Sequence, residues 1–480
     1  MQGRVWARLS VGSHLAESSR TMPLASRVVA VVIVLACALL IFWPEPPCGH
    51  NAYHRHIIHG KRTACLDGSP PVFYYRRGKP RDEHKLVISL QGGGWCKTSA
   101  GCALRSRTDL GSTRNAPACL PQSPRLLDAS FPHNLKAWIF GRTAFNYEGG
   151  VGFLSDVGAT TAWAGWSVAR FVYCDGGSMA GTRHAADMSE GKPLYYRGHY
   201  NFLAQLDALL RLKPRPTEIV LTGCSSGGMA AALKCDLVAE RVSPIPVRCV
   251  LDAAVFPSSE EFDTLAALMM PTASKNNSRS LPRRCVLAEA DARSCLRAEV
   301  ALKHTQTPTY VINDLFNWQH PQEHDFAAVD DRAATAADVL FTRTTHAALM
   351  PAWNASTPHG VFASRCHVHC QSSEGWLAAR IDGVSLAESL RRWYFEHARE
   401  KRVDLHVETR ERAGGARAAR AACHTPALSV SNFWPVEVRL RVLLVMVLVV
   451  PLILFPYCDW APRVEGSQPV RTCLRGTSEA

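Results

Sequence analysis

Gly223-Cys224-Ser225-Ser226-Gly227 places a serine between two glycines, each two residues away. A serine hydroxyl attacks a carbonyl only when a base takes its proton and donors stabilise the resulting oxyanion. Gly-x-Ser-x-Gly meets that need on a strained strand-to-helix turn, where larger neighbours would collide with strand or helix. Ser225 would then stand at a helix N-terminus, whose free amides and dipole favour developing negative charge. A glycine-rich turn of this kind can also cradle a phosphate, but the lysine of a phosphate-binding loop is absent here. Cys224 is a weaker second candidate nucleophile, since the residue before the serine points to the strand side of such a turn.

Other stretches supply what a serine nucleophile lacks. The run KLVISL (Lys85–Leu90) leads into Gln91-Gly92-Gly93-Gly94-Trp95-Cys96, and three glycines after an early strand let backbone N–H groups approach an oxyanion closely. The run SVARFVY at 167–173 leads into Cys174-Asp175-Gly176-Gly177-Ser178. Loops at strand C-terminal ends line the site of an open α/β sheet, so Asp175 and Ser178 are candidate pocket residues or structural turn residues; Trp95 is a third pocket candidate. Toward the C-terminus, residues 309–313 (TYVIN) form a strand followed by Asp314 and Asn317, and Gly360 leads to Ser364-Arg-Cys-His-Val-His-Cys370. The order serine, acid, histidine is that of the α/β-hydrolase arrangement, with His367 or His369 as base and an acid after the 309–313 strand as its orienting partner. Cys366-His367-Val368-His369-Cys370 could instead ligate zinc, but a second spaced ligand group is missing.

The elements required to hold these residues follow in order. Residues 219–221 are a short apolar strand, and 229–242 an apolar-periodic helix with small residues at Gly228 and Ala230–Ala232. An amphipathic helix is expected at 195–212, with Phe202, Leu206, Leu209 and Leu210 on one face, and another strand at 247–251. Alternating strand and helix implies a parallel, helix-covered sheet, so the fold class is α/β, hydrolase-like.

With 480 residues and 47% apolar content the chain can build a large core. The net charge is +13, from 54 basic and 41 acidic residues, without an Arg/Lys stripe interleaved with aromatics, so no nucleic-acid partner is expected. The excess lies near the ends, beside apolar runs, and a membrane explains it better. The expected organisation is a basic tail (1–27), a signal peptide or signal anchor (28–43), a linker (44–64) carrying His50, His54, His56 and His59, a catalytic domain (65–408), an Arg/Ala-rich linker (409–441), a C-terminal transmembrane segment (442–457) and a polar tail (458–480). The histidines of the first linker are read as a polar juxtamembrane stretch in preference to a metal site. Seventeen cysteines fit an oxidising secretory compartment, with Cys235–Cys249 and Cys285–Cys295 as local pairs, and the sequons at Asn276 and Asn354 suit the same route.

Together GGGWC (92–96), Leu110-Gly-Ser112, YCDGGS (173–178), LYYRG (194–198), GCSSGG (223–228) with KCD (234–236), CHVHCQ (366–371) and LAESLRRWYF (Leu386–Phe395) resemble the pectin acetylesterase and Notum family. The resemblance runs in order from about residue 65 to 399. It implies an α/β-hydrolase-fold carboxylesterase, secreted or lumenal, needing no metal or other cofactor. Its substrate would be an acetylated glycan or, as the alternative, a lipid-acylated protein. It also implies Ser225 as nucleophile, His369 as base, and Gly93, Gly94 and Ser226 as the backbone of the oxyanion hole. Three departures stand out: Asn317 follows Leu315-Phe316 where the family has aspartate, an insertion falls between Ser112 and Gly165, and Gln91 stands where glutamate is common. An asparagine holds a neutral imidazole without stabilising the imidazolium. The expectation is therefore a working esterase whose third member is Asp314, with Asn317 in a weaker version of that role, against a non-catalytic binding protein on a hydrolase scaffold.

Overall fold

The computed structural model describes residues 48, 52–120, 152–154, 161–189, 191–256, 260–271, 274, 278–313, 347, 358–364, 369–374 and 376–403. All belong to one compact unit, Glu45–Ser429. The expected apolar spans at 28–43 and 442–457 lie outside the described residues, and among those residues no helix is long and apolar enough to cross a membrane.

The framework is a ten-stranded sheet built from β1 (Tyr53–Ile57), β2 (Val72–Arg76), β3 (Lys85–Leu90), β4 (Cys119–Leu120), β5 (Ser167–Phe171), β6 (Glu218–Cys224), β7 (Val247–Asp252), β8 (Thr309–Ile312), β9 (Gly360–Ala363) and β10 (Lys401–Val403). Their spatial order is β10-β9-β8-β7-β6-β3-β5-β2-β1-β4. The seven strands from β10 to β5 run parallel, and β2, β1 and β4 complete one edge in antiparallel register. A parallel sheet must be covered on both faces. Among the described residues the principal helices are α1 (Ser99–Arg105), α2 (Gly198–Leu209), α3 (Ser226–Val242), α4 (Glu260–Met269) and α5 (Leu386–Phe395).

Period-two alternation along the strands divides the interior. Ile88, Ile219, Leu221, Cys249 and Leu251 enter one cluster with Phe202 and Leu206 of α2 and Met229, Leu233 and Val238 of α3. Val87, Val220, Val250, Tyr310 and Phe362 enter the other, with Trp166, Trp376 and Leu390 and Trp393 of α5. Consecutive apolar residues in β6 are thus used on both faces, which explains a continuous run where a one-sided strand would alternate with polar residues. The α5 helix begins at Ser385, whose side chain accepts from Glu388 N, an N-cap of the usual kind.

The N-terminal boundary of the folded part differs from expectation. Residues 53–57, assigned to a linker, form β1, and Cys48 is bonded to Cys119. His54 and His56 therefore belong to a strand, with His56 stacked on Phe73 at 4.7 Å. Two features obscured this strand: its side chains are partly exposed, and histidine-rich composition resembles a loop. The helix expected at 195–212 spans Gly198–Leu209, and that expected at 229–242 begins three residues earlier, at Ser226.

Candidate active site

The C-terminal ends of the parallel strands bring the chemistry to one edge of the sheet. At the end of β6, Ser225 adopts φ 60°, ψ −129°, a conformation that a residue with a side chain rarely takes. Its N–H donates to Asp252 O at 2.9 Å, and its carbonyl accepts from Met229 N at 2.9 Å, opening α3. Glycine is required around it by contact: a Cβ on Gly223 would overlap the Gly227 carbonyl, and one on Gly227 the Leu90 carbonyl. This is the strained serine turn that the pentapeptide predicts, with Ser225 nearly buried and Ser226 leading the helix.

The triple-glycine loop after β3 packs on that turn. A Cβ on Gly92 would lie 2.5 Å from Cys224 O and 3.4 Å from Ser225 Cβ. Gly93 and Gly94 take φ 130° and 66°, so both peptides are turned in a way that other residues resist. The loop is tied down by its neighbours. Gln91 Oε1 accepts from Tyr173 N at 3.0 Å, Tyr173 Oη donates to Gly94 O at 2.8 Å, and Trp95 Nε1 donates to Ser178 Oγ at 2.6 Å. Burial pushes the Tyr173 hydroxyl well above its ordinary pKa, which keeps it a donor. Trp95 packs edge-on against Phe256 at 5.1 Å and Phe262 at 5.4 Å, an apolar wall next to the glycines.

Asp175 and Ser178, expected in the pocket lining, are both 0% exposed and stand one layer behind Trp95. Asp175 accepts from Met179 N at 3.0 Å and Gly181 N at 3.3 Å, holding Ser178 and Met179 in successive left-handed conformations. A buried carboxylate that satisfies backbone donors organises a turn, the second of the two roles read from sequence. Burial raises its pKa. Behind it, Lys234 Nζ is fully buried, donates to Ser280 O at 2.7 Å and lies 3.3 Å from His199 Nδ1. Burial pushes Lys234 down to about 7 and His199 to about 2, so His199 is neutral. The same region is stapled to the N-terminal segment: Cys65 is bonded to Cys174, while Leu66 donates to Cys174 O and accepts from Tyr195 N.

His369 lies beyond β9 and is joined to the serine turn through its neighbour, since Cys370 is bonded to Cys224. A His369 ring nitrogen lies within 4.8 Å of both sulfurs. Burial alone pushes the imidazole down to about 4. Two residues further, Ser372 N donates to Asp252 Oδ2 at 2.8 Å, and Gln371 Nε2 donates to Ser364 Oγ at 3.1 Å. The disulfide bears on two alternatives that the sequence left open as the weaker ones: Cys224 is not a thiol nucleophile, and Cys370 is engaged with Cys224 instead of presenting a zinc-binding thiolate. Cys366, His367, Asp314 and Asn317 lie outside the described residues. Asn313, the last described residue before that acid-bearing stretch, closes β8 and accepts from Val255 N at 3.1 Å.

A family model described as Pectinacetylesterase matches residues 51–130 and 146–413. The chain belongs to the pectinacetylesterase family. With that family goes the enzyme class: it is a carboxylic ester hydrolase. Among curated relatives, pectin acetylesterase 5 of Arabidopsis thaliana is 27% identical over 366 residues, covering 71% of this chain and 79% of the relative. Palmitoleoyl-protein carboxylesterase Notum of Schmidtea mediterranea is 22% identical over 360 residues, covering 70% of this chain and 62% of its own. The solved structure of the Wnt deacylase Notum from Drosophila shares the fold, with TM-score 0.55 at 21% identity over 74% of this chain and 97% of that one. The match from residue 51 agrees with a folded region that includes β1.

Six disulfides join described residues of this pectinacetylesterase-family chain, and they suit the secretory pathway. The two local pairs read from spacing are among them. Cys224–Cys370 was not legible, because its partners are 146 residues apart. The bonding of Ser372 N to Asp252 was missed as well; an acid ending a strand beside the serine strand is the signal that could have found it.

Proposed function

We propose that this chain is a serine esterase that removes acetyl groups from the hydroxyls of a glycan. Ser225 Oγ attacks the acyl carbonyl while His369 takes its proton, and the N–H groups of Gly93, Gly94 and Ser226 receive the oxyanion. His369 then returns the proton to the departing sugar hydroxyl, leaving an acyl-enzyme on Ser225. Water, deprotonated by the same imidazole, attacks the acyl carbon; acetate leaves and the proton returns to Ser225. Asp314, or more weakly Asn317, orients the imidazole. The observation that carries this reading is Ser225 at φ 60° on a glycine-flanked turn, covalently connected through Cys224 to the residue after His369.

Acetyl is preferred to a fatty acyl group because the relatives at 26–27% identity are pectin acetylesterases. The apolar wall of Trp95, Phe256 and Phe262 would receive the acyl methyl. The protein would travel the secretory route and act on the lumenal or extracellular side of a membrane to which 28–43 or 442–457 anchors it. Hydrolysis of p-nitrophenyl esters from acetyl to palmitoyl, with and without Ser225→Ala, tests the reading. A Ser225-dependent rate greatest for acetyl is expected. A maximum at long chains would favour a protein deacylase, and no labelling of folded protein by a fluorophosphonate would favour a binding protein.

A further inference from the structure

We infer that the Cys224–Cys370 disulfide, with the Asp252 carboxylate as a second tether, is the device that positions His369 against Ser225. This rests on the serine-esterase reading. The five other disulfides among the described residues close loops or join strands to their surroundings, but this one links the residue before the proposed nucleophile to the residue after the proposed base. The two groups come from chain segments 146 residues apart, β6 and the stretch after β9. Between these strands lie β7 and β8, so adjacent backbone pairing does not set their separation.

Three observations make the tether local and stiff. Cys224 pairs with Asp252 across β6 and β7, so the disulfide and the carboxylate spring from facing positions of the sheet. From there Asp252 Oδ2 takes the Ser372 N–H at 2.8 Å while Asp252 O takes the Ser225 N–H at 2.9 Å, so one residue grips both the serine turn and the histidine segment. Asp252 is 1% exposed and Cys224 4%, which leaves little room for either grip to slide. His369 sits between the chain's β9 exit and these two anchors, its ring nitrogen within 4.8 Å of the sulfurs. Catalysis by proton transfer tolerates little error, a displacement of 1 Å costing on the order of a hundredfold. A segment free to move by more than that would also admit water to the imidazole, which is now desolvated.

The double variant Cys224→Ala/Cys370→Ala tests this on the full chain. The control is Cys285→Ala/Cys295→Ala, which removes a bond that joins neither the serine turn nor the histidine segment. The first is expected to lower kcat on p-nitrophenyl acetate by about ten- to a hundredfold with KM nearly unchanged. The acid limb of its pH profile should also rise from about 4 toward 6.5 as the imidazole regains water. The control should lower thermal stability without moving either readout. An unaltered kcat per folded molecule and an unmoved acid limb in the first variant would overturn the inference. If that variant does not fold, graded reduction of the wild type, with each disulfide followed by mass spectrometry, gives the same answer: activity follows the Cys224–Cys370 bond, or the inference is wrong. Wild-type protein without Ser225-dependent turnover would defeat the esterase reading and this inference with it; turnover that ignores the bond defeats only the inference.

Discussion

With His369 as the proposed base, the pH at which that base is lost follows from the desolvation of its imidazole. Desolvation lowers the imidazole from 6.5 to about 4, a bias against the imidazolium of roughly 3 kcal/mol at 1.36 kcal/mol per pH decade. A general base must be neutral, so kcat/KM on an ester without titrating groups should hold its value down to about pH 4 and fall below it. At pH 5 a base of ordinary pKa would retain only about 4% of its pH 7 activity, whereas this one would retain about 90%. The assay is p-nitrophenyl acetate hydrolysis measured across the acid range, with the Ser225→Ala rate subtracted at each pH. A limb at 6.5 or above would refute the assignment of a half-buried, desolvated His369 as base. The same burial predicts a stability effect with a definite sign. Between about 4 and 6.5 the unfolded histidine binds the proton and the folded one does not, so stability is complete above 6.5 and declines as pH falls toward 4. His369→Asn should flatten the thermal unfolding profile in that window.

Gly92→Ala would press a methyl group to 2.5 Å from the Cys224 carbonyl and into contact with Ser225, and should cost on the order of a hundredfold in kcat; a near-native rate would show that the loop can retreat. Asp175→Asn should destabilise the fold by about 1–3 kcal/mol in denaturant unfolding, because the amide cannot accept at both oxygens from Met179 and Gly181. Lys234 is lowered from 10.5 to about 7, so its contribution to stability is full above 10.5 and is lost as pH falls toward 7. Lys234→Met should therefore flatten the rise in thermal stability between those limits. Asp314→Ala should slow hydrolysis far more than Asn317→Ala, and equal, small losses would exclude both from orienting His369.

How far the sequence could be read depended on how local each signal was. Gly92, Gly223 and Gly227 answer to close contacts between the serine turn and the strand and loop beside it, and Gly93 and Gly94 to a positive φ, so their spacing carried the serine turn and its facing loop. The parallel sheet was legible from the alternation of short apolar strands with helical segments. β1 was not, because partly exposed histidines and arginine at an antiparallel edge do not alternate clearly. Asp175 and Ser178 were expected in the pocket lining and are fully buried behind Trp95, since depth depends on packing that no motif encodes. The tie between Cys224 and Cys370 depends on folding across 146 residues, and nothing in the spacing of seventeen cysteines selects it.

The staple formed by Cys65 and Leu66 has a consequence for redesign. It grips the 174–178 loop from 109 residues upstream and accepts a backbone hydrogen bond from Tyr195 N on its other side. Transplanting a pocket loop from a relative to alter acyl preference would therefore leave the graft without its foundation unless the segment around Cys65 travelled with it. Two stretches far apart in the chain would have to be exchanged as a pair.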